Sequence, residues 1–157
     1  MSLPVALRPL ARAEYDEAVA WYEAAQAGLG GAAGAIGGEQ ARMSARLSTT
    51  GSAARRIYHM ALPNGAAVRE FANPDGVVYA VSWTGPGKPD LRTLLGTHFA
   101  ALQAAPAVRD PRFRDAPTIV RQPDLVITAN GHMGYFWGVA YVPSLAPAGF
   151  SPSDLDQ

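Results

Sequence analysis

The chain has 157 residues, 48% apolar and 17% charged, and its 13 basic and 13 acidic side chains cancel. That length and composition fit one folded domain and exclude both a disordered chain and two domains of ordinary size. Without a long-range positive field, nucleic acid is not an expected partner. Without cysteine, disulfides, thiolate catalysis, thiolate zinc sites and iron–sulfur clusters are excluded.

No apolar run reaches the roughly 20 residues that span a bilayer. Arg8, Arg12, Glu14, Asp16, Glu17 and Glu23 interrupt the first thirty residues, leaving no apolar core for a signal peptide. Read as written, the chain is expected in the cytoplasm. The densest basic cluster, Arg109, Arg112 and Arg114, is interleaved with Asp110 and Asp115 and reads as a solvated loop.

In chain order, Leu3 to Leu7 reads as a short strand, and a helix follows from Pro9 to about Gln26. Glu14, Asp16 and Glu17 stand early in it, where the helix dipole favours anions. Leu10, Tyr15, Ala18, Val19 and Tyr22 mark its apolar stripe, while Trp21 lies off the centre and either widens that face or meets a partner. Residues 28–38 hold six glycines in eleven positions, which predicts a flexible linker. A short helix is expected from Glu39 to Leu47, then a loop from Ser48 to Ala54.

Strands are predicted over Arg56 to Leu62, Ala67 to Phe71 and Val77 to Trp83. Asn64-Gly65 and Asn73-Pro74-Asp75-Gly76 supply the turns of this three-stranded meander. Pro89 and Asp90 suit a first helical turn. Leu91, Leu94, Leu95, His98, Phe99 and Leu102 then repeat at helical spacing, predicting one amphipathic helix to about Ala104. A loop over 105–117 precedes a strand from Leu125 to Thr128, a tight turn at Asn130-Gly131 and a strand from Met133 to Val142. The Pro- and Ser-rich tail from Pro143 is expected to fray.

Candidate binding residues are Arg69, Glu70, Trp83, Asp90, His132 and Tyr135. Arg69 and Glu70 are adjacent on a strand and point to opposite faces, so the inward one needs a partner, with Asp90 or a helix arginine in view. Trp83 either plugs the end of its strand or offers a stacking platform. His132, beside the expected turn, has the chemistry of a base or a ligand, but His59 and His98 stand at no metal-binding spacing, so neither a metal nor a cofactor is predicted. Gly131, Gly134 and Gly138 among Tyr135, Phe136 and Trp137 mark a bulge or close backbone approach, since no helix follows to make a phosphate loop. Ser48, Ser52 and Ser82 sit in no nucleophile elbow, and no catalytic residue is assigned.

Two resemblances add to this reading. Residues 4–30, with Glu14, the run Glu17-Ala18-Val19-Ala20-Trp21-Tyr22-Glu23 and Gly28-Leu29-Gly30, resemble the start of RelE/ParE-type toxins. That resemblance implies a growth-arresting ribonuclease or gyrase poison held by an antitoxin, resting on basic residues such as Arg69 or Arg92. Phe71 to Val81 echoes the same toxins, but their basic and aromatic tail motifs do not follow. Leu29-Gly30-Gly31, Val68-Arg69-Glu70-Phe71, Gly76 to Trp83, Gly85-Pro86, Pro89-Asp90-Leu91, Leu94-Leu95-Gly96 and Gly131-His132-Met133-Gly134 resemble a bacterial domain-of-unknown-function family, DUF2844. This match spans residues 29–157 and implies export to the periplasm or beyond, with no activity attached.

The expectation is therefore an α+β fold: an antiparallel sheet, built as a three-stranded meander plus a C-terminal hairpin, packed by one amphipathic helix, with a separate N-terminal helix. The expected divisions are a toxin-like strand and helix at 1–28, a linker and short helix at 29–54, and the α+β domain at 55–157. The functional reading is a non-enzymatic domain with a chimeric toxin-like N-terminus. The alternatives are a RelE/ParE-type toxin and an interaction module. In the last, Trp21 and Tyr22 dock an antitoxin or another protein.

Overall fold

A computed structural model describes residues 29, 36–52, 54–105 and 117–155. The expected N-terminal strand and helix, with Trp21 and Tyr22, and the loop carrying Arg109, Arg112 and Arg114 lie outside the described residues. Helix α1 (Ile36–Met43) comes first, followed by strands β1 (Arg46–Ser52), β2 (Arg55–Ala61), β3 (Ala67–Ala72) and β4 (Val78–Gly85). Two short helices, α2 (Leu91–Leu95) and α3 (Phe99–Ala104), precede β5 (Thr118–Gln122), β6 (Leu125–His132) and β7 (Tyr135–Tyr141).

The α+β class with an antiparallel sheet is what forms, but the sheet is larger than the predicted meander and hairpin. Seven strands make one sheet in the order β1-β2-β3-β4-β7-β6-β5, every neighbouring pair antiparallel. The predicted meander is β2–β4, and β1 extends it where a loop was expected. Every residue of β1 is solvent-exposed, so its sequence carries no inside–outside alternation to reveal a strand.

Turn chemistry accounts for the parts that match. Gly65 takes φ 85° between β2 and β3, and the Leu62 N–H donates to the Ala66 carbonyl at 2.8 Å. Between β3 and β4 the Asn73 side chain accepts from the Asp75 and Val77 N–H groups, both at 3.0 Å, and Gly76 takes φ 78°. The last hairpin corrects the expectation. Its turn is Met133-Gly134, with His132 opposite Tyr135, while Asn130 and Gly131 lie inside β6. Gly134 supplies the positive φ of 88°, whereas Gly131 is glycine because a Cβ there would strike the Phe136 ring.

The residues opposite one another define two faces. One carries Met60, Val68, Val81, Trp83, Ala140 and Ile127, buried beneath Leu94 and Leu95 of α2 and Ile36 of α1. The expected single amphipathic helix breaks in two because Gly96 turns the chain at φ 52° and ψ −128°. Its apolar spacing survives the break, and Leu91, Phe99 and Leu102 still pack inward. Asp90 is the N-cap: its carboxylate accepts from the Arg92 and Thr93 N–H groups and from the Thr93 hydroxyl at 2.6 Å.

Two further expectations change. Leu29, inside the predicted flexible linker, is fully buried and donates its N–H to the Val78 carbonyl at 3.0 Å. The short helix starts at Ile36, ahead of the expected Glu39, because burial of the Ile36 side chain outweighs the poor propensity of Gly37 and Gly38. It ends at Met43, short of Leu47, where Ser44 takes φ 52°.

The tail does not fray. Residues 143–155 cross the second face as a strap, in which Leu155, Phe150, Leu145 and Ala146 pack on Phe71, Tyr79, Ala80, Ile57 and Tyr141. Asp124 accepts from the Ser144 N–H and hydroxyl, the Asn73 side chain donates to the Leu145 carbonyl at 3.1 Å, and Arg55 pairs with Asp154 at 3.3 Å.

Two outcomes test this packing. Gly138 faces Trp83, and a Cβ there would collide with the indole and with the Thr128 carbonyl. Gly138→Ala should therefore lose about 1–3 kcal/mol in chemical denaturation, as overpacked cores do. His98 is held below its ordinary value of 6.5 by burial, with Asp124 acting the other way. The unfolded chain then binds this proton at higher pH than the folded one, so the stability is full above about 6.5 and declines as pH falls below it. The melting temperatures measured at about pH 7.5 and about pH 5 should lie closer together in His98→Gln than in the unaltered chain.

Candidate functional site

The strap covers only part of the second face. β4 is buried from Val78 to Trp83, whereas Thr84, on the strap's side of the sheet, is exposed. From there toward the β6–β7 hairpin the sheet is open, and a groove of about 460 Å³ runs over it. Its lining includes Arg69, Ser82, Thr84, Thr128, Tyr135 and Trp137, with Leu155 of the strap closing one end.

Strand register brings these residues together. Arg69 lies opposite Ser82, Ser82 opposite Val139, and Val139 opposite Thr128, one row running across β3, β4, β7 and β6. Ala67, Thr84, Trp137 and Asn130 form the next row. The Arg69 guanidinium donates to the Ser82 hydroxyl at 3.2 Å and to the Leu155 carbonyl at 2.7 Å. It also lies 5.9 Å from the Phe71 ring centre, so one side chain ties the groove floor to the strap.

An aromatic rim stands at the hairpin end. Tyr135 is 42% and Trp137 38% exposed, with ring centres 6.1 Å apart. The Tyr135 hydroxyl shares a 2.9 Å hydrogen bond with the Thr84 hydroxyl. His132 stacks on Tyr135 at 6.0 Å and 22°, and presents its edge to Trp137 at 5.8 Å. Met133, at the tip, is 99% exposed.

Of the candidates named from the sequence, Arg69, Trp83 and Tyr135 line this groove, His132 stands beside it against Tyr135 and Trp137, and Glu70 and Asp90 lie elsewhere. Glu70 is fully buried on the helix-covered face, opposite Tyr58 and Val81. Asp90 caps α2, where the Thr93 hydroxyl, first among its partners, holds its carboxyl below the usual range. Trp83 is buried, its indole packed where Gly138 leaves room. Thr84, Thr128, Trp137 and Leu155 were not singled out by sequence. The signal available for Trp137 was its alternation with Tyr135 and Val139 on β7, which puts all three on one face.

Beside the groove, under the strap, Tyr79 is completely buried, with Arg55 near its hydroxyl and no well-formed hydrogen bond to it among the described residues. Burial pushes this phenol up from its ordinary value, with Arg55 nearby acting the other way. No group of potential metal ligands occurs among the described residues, and no helix there is long and apolar enough to cross a membrane.

The description "protein of unknown function (DUF2844)" belongs to a family that matches residues 25–155. The chain belongs to that family. The groove, the aromatic rim and the strap all fall inside the DUF2844 match. No curated protein and no solved structure matches the chain. None of the comparisons supports the RelE/ParE resemblance of residues 4–30 or a chimeric origin.

Two substitutions probe this region. Arg69→Ala should release the strap, raising hydrogen exchange at the Asp154 amide, which bonds the Ser151 carbonyl at 2.9 Å. The stability lost should be about 1–2 kcal/mol, reduced from the full value of a charged hydrogen bond by partial exposure. Tyr79→Phe removes a buried hydroxyl that has no well-formed hydrogen bond, so its denaturation midpoint should stay close to that of the unaltered chain, unlike the usual core substitution.

Proposed function

We infer that this DUF2844 protein is a non-enzymatic binding domain whose ligand lies in the groove beside the strap. The observation that carries the reading is the juxtaposition of exposed Trp137 and Tyr135 with the side chains of Arg69, Ser82, Thr84 and Thr128 in one concavity. Small-ligand sites typically offer about 300–1,000 Å³ lined by apolar and aromatic surface with a few convergent polar groups. This groove has that size and that mixture.

Its lining supports binding over chemistry. Hydroxyls and one guanidinium converge there, and among the described residues no carboxylate or imidazole is part of the lining to take or give a proton. The guanidinium is engaged in holding the strap. Two large aromatic side chains are left substantially in water, which native surfaces concentrate at contact sites.

Mapping with small organic probes (phenol, isopropanol and N-methylacetamide) by amide and indole chemical shifts tests the reading. Perturbations should cluster at Arg69, Ser82, Thr84, Tyr135 and Trp137, and Thr84→Arg, at an exposed position, should abolish them while leaving the melting temperature within a few degrees. Shifts confined to other surfaces, or unaffected by Thr84→Arg, would refute the groove as the site.

A further inference from the structure

Resting on the groove as the binding site, we propose that its ligand is a saccharide. The flat C–H face of a sugar ring would lie against Trp137 and Tyr135, with its hydroxyls meeting Ser82, Thr84 and Thr128. Trp137 and Tyr135 are adjacent and exposed on the same sheet face. Both rings are already held in place. The Tyr135 hydroxyl is tied to Thr84, and His132 backs the Tyr135 ring and abuts Trp137. Rings fixed before the ligand arrives lose little rotational freedom on contact, which favours binding of weakly adhering partners.

The polar side of the groove matches the same chemistry. Ser82, Thr84 and Thr128 each carry a hydroxyl that can donate one hydrogen bond and accept two. A ligand that uses them well must itself both donate and accept around its rim, as sugar hydroxyls do. An aromatic body with a polar tip, as in tyrosine and tryptophan, suits a ligand with apolar faces and a polar edge.

Other ligand classes fit less well. Arg69 is the sole cation lining the groove among the described residues, and its guanidinium is bonded to Ser82 and Leu155. A phosphate or carboxylate would need that fork free for bidentate contact. A single nucleic-acid strand could stack on the rings, but its backbone needs a positively charged track, and the chain carries no net charge. A lipid or other wholly apolar ligand would displace water from the hydroxyls of Ser82, Thr84 and Thr128 and leave their remaining hydrogen-bonding capacity unmet.

The test is titration of the full chain with soluble cello-, chito- and malto-oligosaccharides, beside benzyl phosphate and a short neutral peptide, followed through the Trp137 indole N–H. One of the saccharide series should shift that resonance, and Trp137→Ala and Tyr135→Ala should each weaken binding about tenfold, measured calorimetrically. Tyr135→Phe, which keeps the ring, should weaken it only a few-fold. Both aromatic positions are exposed, so unchanged melting temperatures should confirm intact folds. Failure of all three saccharide series, or a stronger response to benzyl phosphate or the peptide, overturns the saccharide assignment. If the organic probes still occupy the groove, the ligand class alone is wrong. If they do not, the binding reading falls with it.

Discussion

The ladder between β4 and β7, from Ala80 opposite Tyr141 to Gly85 opposite Phe136, joins two halves of the chain that are otherwise local hairpins. Every other pairing in the sheet links strands adjacent in sequence. Closing the long intervening segment costs chain entropy, though that cost grows only slowly with length. The ladder is offset by the burial it creates: β4 becomes a central strand, covered by helices on one face and by the strap on the other. Trp83 and Gly138 sit at the middle of this junction. A side chain at Gly138 would push the indole off the sheet and separate the strands.

The second face is divided between a part covered by the strap and a part left open. The strap reaches across the rows that carry Phe71, Ala80 and Tyr141, and its last described residue, Leu155, is buried where the Arg69 guanidinium of the polar row donates to its carbonyl. Beyond that point the next row lies open, so the limit of the strap sets one end of the groove. Arg69 serves both sides of the boundary, since the same guanidinium bonds the floor and the strap. The open row and the strap are thereby tied through a single side chain.

The two sheet edges are β1 and β5, and their composition discourages further strand addition. β1 is Arg46-Leu47-Ser48-Thr49-Thr50-Gly51-Ser52, short of large apolar side chains, with Thr50 bonded to His59 at 2.7 Å. β5 carries Arg121 and Gln122 at its exposed end. Polar and charged edges of this kind limit edge-to-edge pairing. Among the described residues the exposed large apolar side chains are Trp137 and Tyr135 on β7, Met133 at the hairpin tip, and one on each edge strand, Leu47 and Ile119.

By itself, the sequence determined the local structure wherever a turn residue or a clean period was present. Asn64-Gly65, Asn73 to Gly76, the strand runs that these turns separate and the leucine spacing of α2 and α3 were legible because backbone conformation there follows from neighbours in the chain. Arg69 and Tyr135 were legible as candidates, and so was the close approach at Gly138. What only the tertiary structure decided follows from register and coverage. An exposed edge strand such as β1 has no periodicity to read, and Gly131 resembles a turn residue until Phe136 is placed opposite it. The Pro- and Ser-rich strap is ordered by Tyr79 and Phe71, residues far from it in sequence, together with Tyr141 just before it. The groove exists because residues on four strands fall into adjacent rows, and no segment of the chain carries that information alone.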